Sequence, residues 1–336
     1  METWDLLRTI WFALIGVLFA GYSVLDGLDL GVGALLPFLA KNEDEKRLLI
    51  RSIGPVWDGN EVWLLTGGGA LFAAFPHAYA TVFSGFYLAL MLVLFSLILR
   101  AVSLEFRAHS ARRKGFWEAA FIGGSFIPAL LFGVALGNVV GGVPIDARME
   151  YAGNFFTLLR PLPLVFGLLG LAAFLLQGST WAALKTTGEL QARARRTART
   201  MAAATEFLYL LSFVAVWIYL PSAVKRVPAW IFAVLVWSSL GLLVAAINKR
   251  EDGRAFLLSS CAFLSLWGTV GAIHYPNLVR ATDPALSLTI TNASSSALTL
   301  KVMLVIALIG MPLVIGYTIY AYRVFKGKAE LDGPGY

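Results

Sequence analysis

Long apolar runs, each about the length needed to cross a bilayer, recur from one end of this chain to the other. Nothing constrains the fold more. The hydrocarbon core of a membrane is about 30 Å thick, and a helix rises about 1.5 Å per residue, so a crossing takes roughly 20 apolar residues. Backbone groups in lipid find no water, so such runs are helical. Nine segments of the 336-residue chain fit: 8–37, 54–76, 78–102, 117–141, 162–183, 203–223, 227–247, 255–274 and 301–323. The expected fold class is an all-α polytopic membrane protein. Charged residues are 14% of the chain, against about 25% in soluble domains. Cys261 is the single cysteine, so an intrachain disulfide is ruled out. The opening METWD has no basic n-region, and the first run reads as a retained span instead of a signal peptide.

Orientation follows from the loops. Alternate loops and the C-terminal tail hold 20 of the 27 Lys and Arg residues, and the other side holds seven. Positive charge marks the cytoplasmic side, which puts the N-terminus outside, the C-terminus inside, and requires an odd number of spans. The net charge of +7 therefore reports topology and not nucleic-acid binding. The basic stretch 184–201 reads as a surface helix on anionic headgroups. Loops 141–161 and 275–300 read as a solvated outer cap.

Charge inside the spans is where function is sought, since a carboxylate at the bilayer centre costs roughly 2.5–3.5 kcal/mol. The stretch WDGNEVW (57–63) sets Asp58, Asn60 and Glu61 between Trp57 and Trp63 at the start of the second span. Asp26 and Asp29 fall in the inner half of the first span, and Arg100 and Glu105 close the third. Asp58 with Glu61, and Asp26 with Asp29, are three apart and so share helix faces. Neighbouring carboxylates in a dry site can hold a proton near neutral pH, which suits a proton path fed from the cytoplasm. The alternative is structural: acids pairing with Arg51 or Arg100 to fix packing, with the DGLDLGVG glycines allowing close helix contact. Trp57 and Trp63 read as interfacial anchors. Gly67–Gly69 lack the following Lys-Ser/Thr of a phosphate loop and read as packing glycines. His77, His109 and His274 all fall near span ends or in loops, so a metal or haem held wholly by this chain is not expected. A stand-alone proton-coupled transporter is the rival function. Against it, the polar residues are off-centre and WDGNEVW has no counterpart in the second half.

The segments DGLDLGVGALLPFL (26–39), SIGPVWDGNEVWLLTGGGALFAAFP (52–76) and FSGFYLALMLVLFSLILRAVSLEFR (83–107) resemble subunit II of the cytochrome bd-type quinol oxidases. So do FGVALGNVVGGVP (132–144), GNFFTLLRPLPL (153–164), TTGEL (186–190) and NASSSALTLKVM (292–303). The short chain is most similar to the cyanide-insensitive branch. The resemblance implies two four-helix bundles plus one peripheral helix: residues 1–142 with the acidic cluster, 143–275, and 276–336 carrying the ninth helix and tail. It implies a bacterial inner-membrane location and a haem-free role beside a haem-bearing subunit I, which would hold haems b and d, or b alone. The complex oxidises quinol and reduces dioxygen to water, and some members carry a small single-helix accessory subunit or a structural quinone. The resemblance implies a proton path through Asp58 and Glu105 and an oxygen entrance at Trp63. Asp26, Asp29, Glu61 and Arg100 join the expected path from their positions in the spans, Arg100 and Glu105 at its mouth.

Overall fold

The computed structural model describes residues 3–109 and 112–331. It is almost entirely helical: α1 (Thr3–Leu39), α2 (Glu43–Ile53), α3 (Trp57–Ala74), α4 (Pro76–Gly85), α5 (Tyr87–His109), α6 (Lys114–Gly141), α7 (Pro161–Lys185), α8 (Gly188–Tyr219), α9 (Pro221–Val224), α10 (Val227–Asn248), α11 (Asp252–His274) and α12 (Ala297–Val324). Eight of the described helices are long and apolar enough to cross a membrane. The segment expected at 54–76 is absent from those eight. Its helix α3 opens on the polar turn WDGNE and stops after 18 residues, because Pro76 follows Phe75, which leaves the helical region at φ −135°, ψ 66°. Residues 76–85 form the separate α4, so the next long helix begins at Tyr87 and not at 78.

The 37-residue α1 is about 55 Å long and forms the spine. It packs on α3, α6, α7 and α11. Its contact with α7 is a backbone crossing: a Cβ on Gly31 would lie 2.0 Å from the Phe174 carbonyl oxygen, and one on Gly178 would lie 2.3 Å from the Gly31 carbonyl carbon. Only glycine lets two helices approach this closely. On the far side of α7, a core of Phe166, Leu169, Tyr209, Phe213, Val236, Leu240 and Leu243 holds α8, α10 and α11. The peripheral helix α12 has Leu300 as its buried residue.

One end of the bundle is closed by α2, whose Leu49, Ile50 and Ile53 pack on Leu35, Leu36 and Leu39 of α1. Asn42 caps α2, its side chain accepting from the Glu45 N–H, and Glu43, Asp44 and Glu45 fill the first turn, where the helix dipole favours acids. The basic stretch expected to lie flat on lipid is instead the first half of α8, continuous to Tyr219. Buried Ala194 and Ala198 face the protein, Arg193 donates to Glu45 at 2.5 Å, and Arg195 grips Asp252 through two bonds at 2.7 and 2.6 Å. The opposite end is capped by the antiparallel pair β1 (Asn277–Val279) and β2 (Leu288–Thr289).

Candidate functional site: carboxyl groups around a buried arginine

Two turns of α1 place Tyr22, Asp26 and Asp29 along one stripe, at the i, i+4 and i+7 positions that a helix stacks on one face. All three are buried, the two aspartates completely. Arg100, on α5, is also 0% exposed. Its Nη2 donates to Asp26 Oδ1 and to Glu61 Oε1, both at 2.8 Å. Glycine makes this approach of α5 to the bundle workable: a Cβ on Gly124 of α6 would lie 2.5 Å from the Ser96 carbonyl and 2.9 Å from the Arg100 nitrogen.

Asp29 is reached from α3. The Asn60 amide nitrogen donates to Asp29 Oδ2 at 2.8 Å and to the Leu25 carbonyl at 3.2 Å. The Asn60 oxygen accepts from the Tyr322 hydroxyl of α12 at 3.2 Å. Asp26 and Asp29 each keep one oxygen with no protein partner. The Tyr22 hydroxyl and the Arg100 Nε and Nη1 are likewise buried and unpartnered. Five such atoms in one place mark a polar site that water or a mobile proton can complete. Three carboxyl groups surround one guanidinium, so the cluster holds more acids than its single buried cation can pair.

The structure separates the sequence candidates into two groups. Asp26, Asp29, Glu61 and Arg100 meet in the cluster. Asp58 and Glu105 are exposed. Asp58 sits one turn before Glu61, which turns inward to Arg100. Arg100, expected at the mouth of the path, is fully buried between Asp26 and Glu61, where Gly124 lets α5 sink against α6. Arg51, considered as an acid's partner, donates to the carbonyls of Glu330 and Leu331. Trp63 is buried with Leu18 and Tyr22, its ring filling the space over Gly21. Of the three packing glycines, Gly67 meets Phe19, while Gly68 and Gly69 face open space. Sequence reasoning left Asn60 without a role and passed over Tyr22 and Tyr322.

A family model for cytochrome bd terminal oxidase subunit II matches residues 7–325. The chain belongs to that family. Subunit 2 of the cytochrome bd-I ubiquinol oxidase of Escherichia coli (strain K12) is 38% identical over 367 aligned positions, covering 98% of this chain and 96% of the relative. The cytochrome bd ubiquinol oxidase subunit 2 of Bacillus subtilis (strain 168) is 36% identical, covering 98% of both chains. In three dimensions the fold matches the bd oxidase of Geobacillus thermodenitrificans with a TM-score of 0.80 at 18% identity, over 95% of this chain and 98% of that one. Subunit II is thus a multi-pass protein of the bacterial inner membrane with a subunit I as partner, and the transporter reading is set aside.

His77 and His109 are exposed, and the buried His274 has Nε2 at 3.0 Å from the Leu278 carbonyl. An apolar cavity of about 100 Å³ lies between α1, α6, α7, α8 and α11, and no His, Met or Cys lines it. Among the described residues, no three His, Cys, Asp or Glu side chains are placed to share a metal ion.

Proposed function

We propose that this chain is the haem-free subunit of a quinol-oxidising, dioxygen-reducing complex, and that its acid cluster passes protons from the cytoplasm toward haems held by subunit I. The observation that carries this reading is the cluster itself: Asp26, Asp29, Glu61 and Arg100, with five buried polar atoms lacking protein partners. Oxygen reduction consumes protons, and drawing them from the inside builds membrane potential. Asp58 and Glu105 are the entry acids at the surface, Glu61 is the partly exposed link, and Asp26 with Asp29 form the interior station. Trp63 lies on the oxygen entrance.

In this reading the chain crosses the membrane nine times, α3 included, with the N-terminus outside. Residues 1–142 and 143–275 form the two four-helix bundles, and 276–336 the ninth helix and tail. The side of α3 that carries Asp58 also exposes Val62 and Leu65. A carboxylate among lipid tails is unfavourable, so subunit I covers this face. Subunit I holds haems b and d, or b alone, and a single-helix accessory subunit completes the complex. A structural quinone completes the cofactors of the complex; the cavity lined by Phe132, Phe166, Phe174, Phe213 and Trp267, about 100 Å³, is smaller than the roughly 300–1,000 Å³ of ligand pockets and is not assigned to it.

The test is Asp58→Asn in the intact complex. Turnover falls while the haem spectrum and subunit stoichiometry stay as in the wild type. Wild-type turnover in an assembled complex would remove Asp58 from the path.

A further inference from the structure

Asn60 reaches Asp29 in only one of its two amide orientations, and the group that selects that orientation comes from the other end of the chain. The Asn60 side chain is 2% exposed. Its nitrogen faces two acceptors, the Asp29 carboxyl and the Leu25 carbonyl. Its oxygen faces one donor, the Tyr322 hydroxyl, 262 residues away in sequence. Flipping the amide would set its oxygen against the Leu25 carbonyl and, whenever Asp29 is ionised, against a second acceptor, with its nitrogen toward the tyrosine. With the hydroxyl gone, the buried oxygen has no donor, and the penalty that holds the amide in place is reduced.

Tyr322 is itself held firmly, although α12 is otherwise peripheral. Its ring meets Trp181 edge-on at 5.8 Å. Just beyond it the chain is tied to the end of α7. Lys185 Nζ donates to the Phe325 carbonyl at 2.6 Å, the Ala329 N–H to the Lys185 carbonyl at 2.8 Å, and Lys328 Nζ to the Leu184 carbonyl at 2.7 Å. Arg51 of α2 donates to the Glu330 carbonyl at 2.9 Å. The last helix, α12, and its tail are thus latched across the α2 end of the bundle, with one hydroxyl inserted beside the cluster.

We propose that Tyr322 is a positioning residue for the interior station: it orients the Asn60 amide so that its N–H group holds Asp29. The proposal rests on the reading that the cluster exchanges protons, but its contact chemistry is testable apart from that reading.

The experiment is infrared difference spectroscopy on the purified whole complex, with the Asp29 carboxyl band assigned by its loss in Asp29→Asn, alongside turnover. Tyr322→Phe keeps the ring against Trp181 and removes only the hydroxyl. It is expected to shift the Asp29 band and to lower turnover several-fold. Asn60→Leu shifts the same band, and the double variant adds no shift beyond Asn60→Leu alone. Tyr320→Phe, on the exposed side of α12, leaves band and turnover unchanged. An Asp29 band in Tyr322→Phe identical to wild type overturns the proposal, as does a double variant whose shifts simply add. If Tyr322→Phe shifts the band while Asp29→Asn keeps wild-type turnover, the positioning role stands and the proton-path reading fails.

Discussion

Replacing Arg100 by leucine removes the shared partner of Asp26 and Glu61 at one stroke. The guanidinium and Asp26 are both essentially inaccessible, at 1% and 0% side-chain exposure, while Glu61 retains 25%. Breaking a buried pair by removing one partner destabilises by about 3–5 kcal/mol, since the other charge is left stranded. At about 2 °C per kcal/mol, the lower slope suited to a long chain, melting falls by about 6–10 °C. Glu61 can turn to water and adds little to that figure. Asp26 cannot, so the penalty resides in one carboxylate. Arg100→Leu combined with Asp26→Leu should therefore recover most of the loss, because exchanging both members of a buried pair for apolar groups is often neutral or stabilising. The assay is thermal melting of the detergent-solubilised complex at a fixed scan rate, read as a double-mutant cycle. A wild-type melting temperature for Arg100→Leu, or a double variant that loses the sum of the single losses, would refute the argument that this pair is coupled in a dry site.

Two further outcomes follow from other parts of the fold. Gly178→Ala puts a methyl group 2.3 Å from the Gly31 carbonyl carbon, a backbone clash that side-chain rotation cannot relieve; the expected result is a sharp fall in assembled complex, measured as haem per membrane protein. Glu43 is bonded to Lys114, Lys46 and Arg107, and the Lys114 hydrogen bond foremost pulls its carboxyl down to about 2. Its lowered value means that the stabilising contribution is present above about pH 4.5 and fades as pH falls toward 2. Glu43→Gln should flatten this part of the acid-stability profile, by a small amount because Glu43 is about half exposed.

The fold was largely readable because a bilayer leaves few options: an uninterrupted apolar run of helix length can only cross, and outside the α3–α5 region six helices appear close to their expected places, while α8 begins 15 residues early. Errors arose where one dimension of sequence stands for two of structure. Pro76 was visible, yet the chain's use of it to start a short helix depends on Phe75 and Ala78 packing against the β1–β2 cap. The arginines of 193–199 looked like a lipid-facing surface, while the alanines between them, Ala194 and Ala198, pack inward. For the site, depth along a helix could be counted from loop charges, which brought out Asp26, Asp29, Glu61 and Arg100. Facing could not be counted so easily. Asp58 and Glu61 are three apart, but one is exposed and the other bends toward Arg100. Asn60 stood in the motif with no partner to give it meaning, because its partners come from α1 and from residue 322. A tyrosine near the end of the last apolar run carries no local mark of such a role.

The central claim is that protons for oxygen reduction pass through this chain, and proton uptake is its most direct measure. The intact complex carrying Glu61→Gln, reconstituted in vesicles with the cytoplasmic side accessible to a pH dye, is mixed with oxygen after full reduction. The account predicts that proton uptake and oxygen chemistry slow together, with haem spectra and quinol binding unchanged. Uptake at the wild-type rate in that complex would contradict it.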